Sequence, residues 1–303
     1  MNSRHARARL GLLAVTVLWG ATFSLNQVAL RSIGAVTLTF LRFTLAALFL
    51  VAVFGRRREF WRDLRRGEIL GGVATGALLF GAYLTQTEGQ RYVSASLAGF
   101  LTGLSVVLVP LLVLALHRRP SRLQFGAAML ALIGLYLLAG PGGSGHLLGI
   151  ILVLACAFFF AVELVVAECL SAQVAVAGLT LVQMSTVALL AGIAALAPGG
   201  GGLLPLHASD EAWLTVIING VGASALGFLA QTWSLRWLDS IEISILYSLE
   251  PVFAALVALV ALHQRLSILG WVGGLVVVAA MLLVSTGSPR DNTSHSGPQE
   301  SSP

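Results

Sequence analysis

The chain reads as a succession of long apolar runs separated by short polar or Gly/Pro-containing stretches. The runs cover roughly 10–30, 35–54, 69–88, 94–116, 122–140, 147–167, 177–198, 211–233, 240–262 and 268–286. At about 1.5 Å of rise per residue, a helix of such length crosses a hydrocarbon core about 30 Å thick. Backbone groups find no water in lipid, so each run is expected to be helical. The pattern therefore predicts an all-α membrane protein with ten transmembrane helices. The first run, from Leu10 to about Leu30, is long enough to span and is not expected to be a short cleavable signal core. Gly71-Gly72, Gly273-Gly274 and the GxxxG from Gly99 to Gly103 are expected to let helices approach closely.

Composition strengthens this picture. Hydrophobic residues make up 57% and charged residues 10%, with a mean hydropathy of +0.90. A soluble domain would carry about a quarter charged residues, so the apolar surface must face lipid or other helices. All 18 basic residues are arginine, and the net charge is +5. Their placement in short loops argues for membrane topology, not for a nucleic-acid partner. Arg4, Arg7 and Arg9 precede the first run. Arg56, Arg57, Arg58, Arg62, Arg65 and Arg66 follow the second, and Arg118, Arg119 and Arg122 follow the fourth. The positive-inside rule makes that face cytoplasmic and places both termini there, in the inner membrane of a bacterial cell. Residues 287–303, containing Ser, Pro and Asn, are expected to form a disordered cytoplasmic tail. Cys156 and Cys169 have no metal-ligand spacing to other Cys or His and read as small packing residues. No cofactor and no metal is expected.

The two halves resemble each other. Gln86-Thr87-Glu88-Gly89-Gln90-Arg91-Tyr92 and Gln231-Thr232-Trp233-Ser234-Leu235-Arg236-Trp237 both read Q-T-x-x-x-R-aromatic, each between a third and a fourth run. His117-Arg118-Arg119-Pro120-Ser121 has a counterpart in His263-Gln264-Arg265-Leu266-Ser267. Five runs per half is an odd number, so the second half enters the membrane inverted. The charges agree: the loop with six arginines corresponds to Pro198–Glu211, which has none. The expected units are 1–140 and 141–286, two inverted five-helix repeats, with the Gly/Pro-rich stretch from Ala139 to His146 joining them. Inverted repeats can exchange inward-open and outward-open states around a shared midplane site, which points to transport of a small molecule.

Charge inside a bilayer is costly, by at least ~2.5 kcal/mol near the centre, so intramembrane polar groups are the site candidates. Glu250 lies near the middle of the ninth run and is followed by Pro251, which removes a helical hydrogen bond. It is expected to hold a proton or a substrate amine, against the plainer reading of a bond to a neighbouring helix. Arg42 either holds a substrate carboxylate, pairs with a helix carboxylate or snorkels. Trp19, Thr22 and Asn26 share one face of the first helix by their i, i+3, i+7 spacing. Tyr83, Gln86, Asn219, Gln231 and Tyr247 complete a cavity with aromatic walls and a few fixed hydrogen bonds, or serve helix packing. Glu163 and Glu242, nearer the run ends, are expected at the solvated interface, and Glu88 is expected to pair with Arg91.

Several motifs resemble the drug/metabolite transporter superfamily in its ten-helix EamA-type branch, over nearly the whole chain. Trp19-Gly20-Ala21-Thr22-Phe23 is similar to its W-G-x-x-F signature. Leu41-Arg42-Phe43 looks like its second helix, Ser94–Leu104 with Val109-Pro110 like its fourth, and Glu250-Pro251-Val252-Phe253-Ala254 like its ninth. His263-Gln264-Arg265 stands where G-E-R is common, and Glu88 and Gln90 where leucine is usual. The resemblance implies a secondary active exporter of small metabolites, commonly amino acids or related compounds, or of drugs. Its energy source would be the proton gradient or exchange, and it would work in the bilayer as a monomer or homodimer. A membrane-embedded enzyme or a lipid-binding scaffold is the rival class. The sequence carries no HExxH, P-loop or paired-acid motif to support catalysis.

Overall fold

A computed structural model describes residues 3–139, 146–205, 207–261 and 267–286. The expected connection at 140–145, the His263-Gln264-Arg265 turn and the tail from 287 lie outside the described residues.

Among the described residues the chain is helical, without strands. The first half contains α1 (Ser3–Ala29), α2 (Ala35–Phe54), the short α3 (Arg58–Arg62), α4 (Arg66–Gly89), α5 (Ala95–Gly103), α6 (Ser105–Ala115) and α7 (Arg122–Ala139). The second contains α8 (Leu147–Ser171), α9 (Val176–Leu196), α10 (Asp210–Ile217), a π-helical segment (Ile218–Leu226), α11 (Gly227–Ser234), α12 (Ser240–Tyr247), α13 (Glu250–Ala261) and α14 (Ile268–Thr286). Eight helical segments are long and apolar enough to cross a membrane, counting α5–α6, α10–α11 and α12–α13 as one each. Two shorter apolar helices, α7 and α14, pack along each other.

Two helices outrun the apolar runs that predicted them. α1 begins at Ser3, so Arg4, Arg7 and Arg9 sit on its first turns. Ala and Arg are good helix formers, and these turns have partners. The Arg4 guanidinium lies 4.9 Å from the Trp237 ring centroid, and Arg9 pairs with Glu242 at 2.7 Å. α8 continues to Ser171, a turn past the expected end, and Glu168 on that turn meets Arg118 at 3.0 Å.

Three segments are broken or widened. α5 yields to α6 at Leu104, whose N–H bonds Leu101 at 3.3 Å in a tightened turn. α12 yields to α13 in the same way, with Leu249 N–H bonding Leu246 at 3.2 Å. Pro251, which has no N–H to give, falls in the first turn of α13, where none is needed. Glu250 is thereby set at a helix N-terminus, whose dipole favours negative charge. The third break is the π-helical turn, a common device at functional sites. It runs through Asn219, Gly220, Gly222 and Ser224, within a stretch whose apolar pattern predicts a plain helix.

The packing pairs elements of one half with elements of the other: α2 with α9, α7 with α14, and α5–α6 with α12–α13. α1 packs on α10–α11 and α13, and α8 correspondingly on α4 and α5–α6. Close crossings rest on glycine. A Cβ on Gly20 would come within 2.8 Å of the Glu250 carbonyl oxygen and 2.9 Å of Ala254 N, so α1 lies backbone-to-backbone on α13. Gly273 likewise packs on the α7 backbone at Gly134 and Leu138. The GxxxG is used unequally: a Cβ on Gly99 would meet Pro251 at an ordinary 3.6 Å, whereas one on Gly103 would press on Pro251 at 3.1 Å and Leu135 at 3.2 Å. Large apolar side chains such as Ile133, Leu189, Leu196 and Leu275 point outward, as a lipid-facing surface requires.

Candidate functional site

Near mid-height, α1, α4, α5, α6, α8, α11 and the α12–α13 break surround a small internal cavity of about 40 Å³. That is room for about three or four waters, at roughly 10–15 Å³ each. Trp19, Thr22, Tyr83, Gln86, Gln231, Tyr247 and Glu250, all expected from sequence, line it together with Thr102, Phe160 and Glu163.

The aromatic walls interlock. The Trp19 ring stands 5.4 Å from Phe228 and 4.9 Å from Tyr247, centroid to centroid. Tyr83 lies 4.8 Å from Phe43 and 5.2 Å from Phe160. Edge and tilted contacts of this kind hold ring orientations as well as burying area. Trp19 is further fixed by its indole N–H, which donates to the Ala223 carbonyl at 2.7 Å. That carbonyl belongs to the π-helical turn.

Arg42 and the asparagines stand outside the cavity lining. The Arg42 Nε donates to Ser224 Oγ at 2.6 Å, again in the π-helical turn. Its guanidinium lies 4.4 Å from the Tyr83 ring centroid and 5.4 Å from that of Phe43, with Nη2 3.4 Å from the Tyr83 hydroxyl. Snorkelling is excluded: the residue is 3% exposed. Asn219 Nδ2 donates to Asn26 Oδ1 at 2.8 Å, clasping the π-helical turn to α1.

Two carboxylates face the cavity in different states. Glu163, expected at the solvated interface, is 1% exposed. It accepts from Gln183 Nε2 at 2.8 Å and from Gln231 Nε2 at 3.0 and 3.3 Å. Gln231 Oε1 in turn accepts from the Tyr247 hydroxyl at 3.0 Å. Each partner comes from a different helix, which is why an apolar run alone could not place Glu163. The signal within reach was Gln183, a second amide deep in its own run. Glu250, by contrast, makes no side-chain hydrogen bond or ion pair among the described residues, although both its oxygens are acceptors.

Larger hollows lie towards the two ends. At the arginine-rich end a cavity of about 610 Å³ is lined by His5, Arg9, Arg118, Arg119, Glu168, Trp237 and Glu242. Here Arg9 pairs with Glu242, and Arg118 forks onto both Glu168 oxygens at 3.0 and 3.3 Å. The Arg118 proton is held more firmly than usual by that bond. Gln124 Nε2 donates to Asp239 Oδ2 at 2.8 Å. All three links join the first half of the chain to the second. At the opposite end a hollow of about 360 Å³ is bordered by Gln27, Leu30, Arg31, Gln90 and Arg91. Among the described residues no cluster of His, Cys, Asp and Glu is suited to hold a metal ion.

A sequence profile of the EamA-like transporter family matches residues 7–140 and again residues 147–286. A relative from Archaeoglobus fulgidus, described as an uncharacterized transporter, is 28% identical over 279 residues, which is 92% of this chain and 85% of the relative. A solved structure, described only as the crystal structure of a protein, superposes with a TM-score of 0.73 at 19% identity, over 92% of this chain and 96% of that one. That likeness concerns the fold.

Proposed function

The chain belongs to the EamA-like transporter family, within the drug/metabolite transporter superfamily, and is a multi-pass membrane transporter; from this premise we propose that it is a secondary active exporter working by alternating access. Its cargo is a small metabolite, such as an amino acid or related compound, or a drug. Ten spans form two inverted five-helix repeats, 1–140 and 141–286. The reciprocal packing of α2 on α9, α7 on α14 and α5–α6 on α12–α13 supports this division, as do the matching breaks at Leu104 and Ser248. The arginine-rich end faces the cytoplasm of a bacterial cell by the positive-inside rule, with both termini on that side.

The observation that carries the reading is Glu250. It is a carboxylate with no hydrogen bond or ion pair among the described residues, set at a helix break and facing a small cavity, with larger hollows towards the two ends. A buried acid whose counter-charge, Arg42, acts on it only from beyond ion-pair distance is poised to exchange a proton or to meet a ligand. Glu250 is the proton-coupling residue, and Trp19, Thr22, Tyr83, Gln86, Gln231 and Tyr247 line the substrate path. Arg42 shapes the site through Tyr83, and Asn26 with Asn219 shapes it through the π-helical turn.

Flux into proteoliposomes, with a panel of amino acids, organic cations and sugars, tests this with and without a pH gradient. One class should show saturable, gradient-dependent movement. Glu250→Gln should lower the gradient-driven rate about tenfold or more and flatten its pH response. Full rate and full pH response in that variant would remove Glu250 from coupling.

A further inference from the structure

The polar atoms left over in the cavity wall specify what kind of cargo fits it. The donors of the wall are largely spent on the protein itself. Trp19 N–H goes to the Ala223 carbonyl, Thr22 O–H to the Trp19 carbonyl, and Tyr247 O–H to Gln231. Gln231 N–H goes to Glu163, and Gln86 N–H to Thr102 at 3.3 Å. The Tyr83 hydroxyl, having accepted from Arg42, keeps its proton, as does the Ser105 hydroxyl, which makes no bond among the described residues. The strongest acceptor of the wall is not spent, although those of Glu163, Gln231 and Thr102 are. Both oxygens of Glu250 and the Gln86 carbonyl oxygen face the cavity without a protein donor among the described residues.

Charge points the same way. Glu163 and Glu250 line the cavity, and neither has an arginine within the 4.0 Å of an ion pair. The nearest base, Arg42, lies behind the Tyr83 ring and is bonded to Ser224. Two acids and one base surround the space, so one positive charge is wanting. In a water-poor interior that imbalance is costly unless a proton or a cationic ligand supplies it. The remaining walls are aromatic faces, Trp19, Tyr83, Phe160 and Tyr247, which attract cations through their negative π-clouds.

We propose that the central cavity takes a small organic cation, its ammonium group held between Glu163 and Glu250 and its apolar part laid on Trp19, Tyr83, Phe160 and Tyr247. This rests on the transport reading of the same cavity and names its cargo by class. The two acids have separate tasks. Glu163, fixed by two amides, is a rigid acceptor, and Glu250 supplies free oxygens for the N–H groups of the ligand. At about 40 Å³ the cavity in this state has room for an ammonium head and not for a whole cargo molecule. Binding of the rest therefore widens it towards one of the end hollows.

The test uses three probes with one ring and different heads: 2-phenylethylammonium, neutral 2-phenylethanol and anionic phenylacetate. Binding to the full chain in detergent is followed by calorimetry and by quenching of tryptophan fluorescence. The ammonium probe should bind about tenfold tighter than the alcohol, and phenylacetate weakest of the three. Glu163→Gln and Glu250→Gln should each weaken the ammonium probe by about tenfold while leaving the alcohol unchanged, which shows the variants folded. Glu250→Asp should recover part of the loss. Equal binding of ammonium and alcohol, preference for phenylacetate, no ammonium binding, or unweakened ammonium binding in both Gln variants would each overturn the proposal. Cation-selective binding without flux in vesicles would instead remove the transport reading and leave the cation site standing. Saturable flux of phenylacetate without cation binding would do the reverse.

Discussion

Four glutamates of the second half occupy two kinds of place. Glu168 and Glu242, at the arginine-rich end, each face an arginine of the first half, at 3.0 and 2.7 Å. Glu163 and Glu250, one to two turns deeper, face none, and share a cavity with aromatic rings. The same side chain therefore does two jobs in one bundle. With its arginine it is a finished strut, tying the first half of the chain to the second at the arginine-rich end. Without one it is held by amides alone, as Glu163 is, or left unbonded among the described residues, as Glu250 is, a costly arrangement for an acid in a water-poor interior.

Neutralising each class should separate function from stability. The largest effect is expected for Glu163→Gln with Glu250→Gln. Both deeper charges vanish, while Gln at 163 can still bond the amides of Gln183 and Gln231. Transport should fall by about a hundredfold. The thermal midpoint in detergent should hold or rise, because an unpaired charge in a low-dielectric interior is no asset to folding. A fall in the midpoint as large as that of a broken strut would show the deeper acids to be structural after all.

Glu168→Gln should have the next effect, and in the opposite observable. It removes a forked bond from Arg118 and weakens the one from Ser240 Oγ at 2.7 Å. Breaking a fully buried pair costs roughly 3–5 kcal/mol. Here the Arg118 side chain is 41% exposed, so water takes over part of the loss and about 1–2 kcal/mol is expected. Thermal unfolding of Glu168→Gln, Arg118→Gln and the double variant gives the coupling directly. Additive losses would mean that the two residues act separately.

How much of this was readable beforehand differs between the two places. The helices followed from apolar runs, because lipid leaves the backbone no other arrangement. Glu250 was readable too, since depth in a run and a following proline are local properties of the sequence. The apolar run puts Glu163 near its end, but α8 runs on to Ser171, so the residue lies a turn further in. Its partners Gln183 and Gln231 sit 20 and 68 residues away, and no periodicity announces such a meeting. Arg42 was recognisable as a buried charge, but its partner Ser224 belongs to a π-helical turn that apolar patterning cannot distinguish from an ordinary helix. The struts were hidden for a related reason. Arg9 and Arg118 read as topological charges, and their acids lie 233 and 50 residues away.

The Arg9–Glu242 strut should give a smaller change. Both side chains are 14% exposed and one bond is made. Glu242→Gln should cost about 1 kcal/mol, at the upper edge for a pair that water still reaches. Exchanging the two residues, Arg9→Glu with Glu242→Arg, should restore most of it. If the exchange restores stability but slows transport, the strut's direction matters to the opening of this end as well as to its closure.

The smallest effect is expected for Glu88, which supplies the contrast its own control. Glu88 pairs with Arg91 at 2.8 Å, as closely as the struts do, yet within one half of the chain and three residues apart. The side chains are 30% and 53% exposed, so water and salt screen the pair. Glu88→Gln should shift stability by no more than about 0.5 kcal/mol and leave the transport rate unchanged. A loss matching that of Glu168→Gln would mean that any glutamate–arginine contact stabilises this bundle. The meaning of the struts would then no longer lie in joining the two halves.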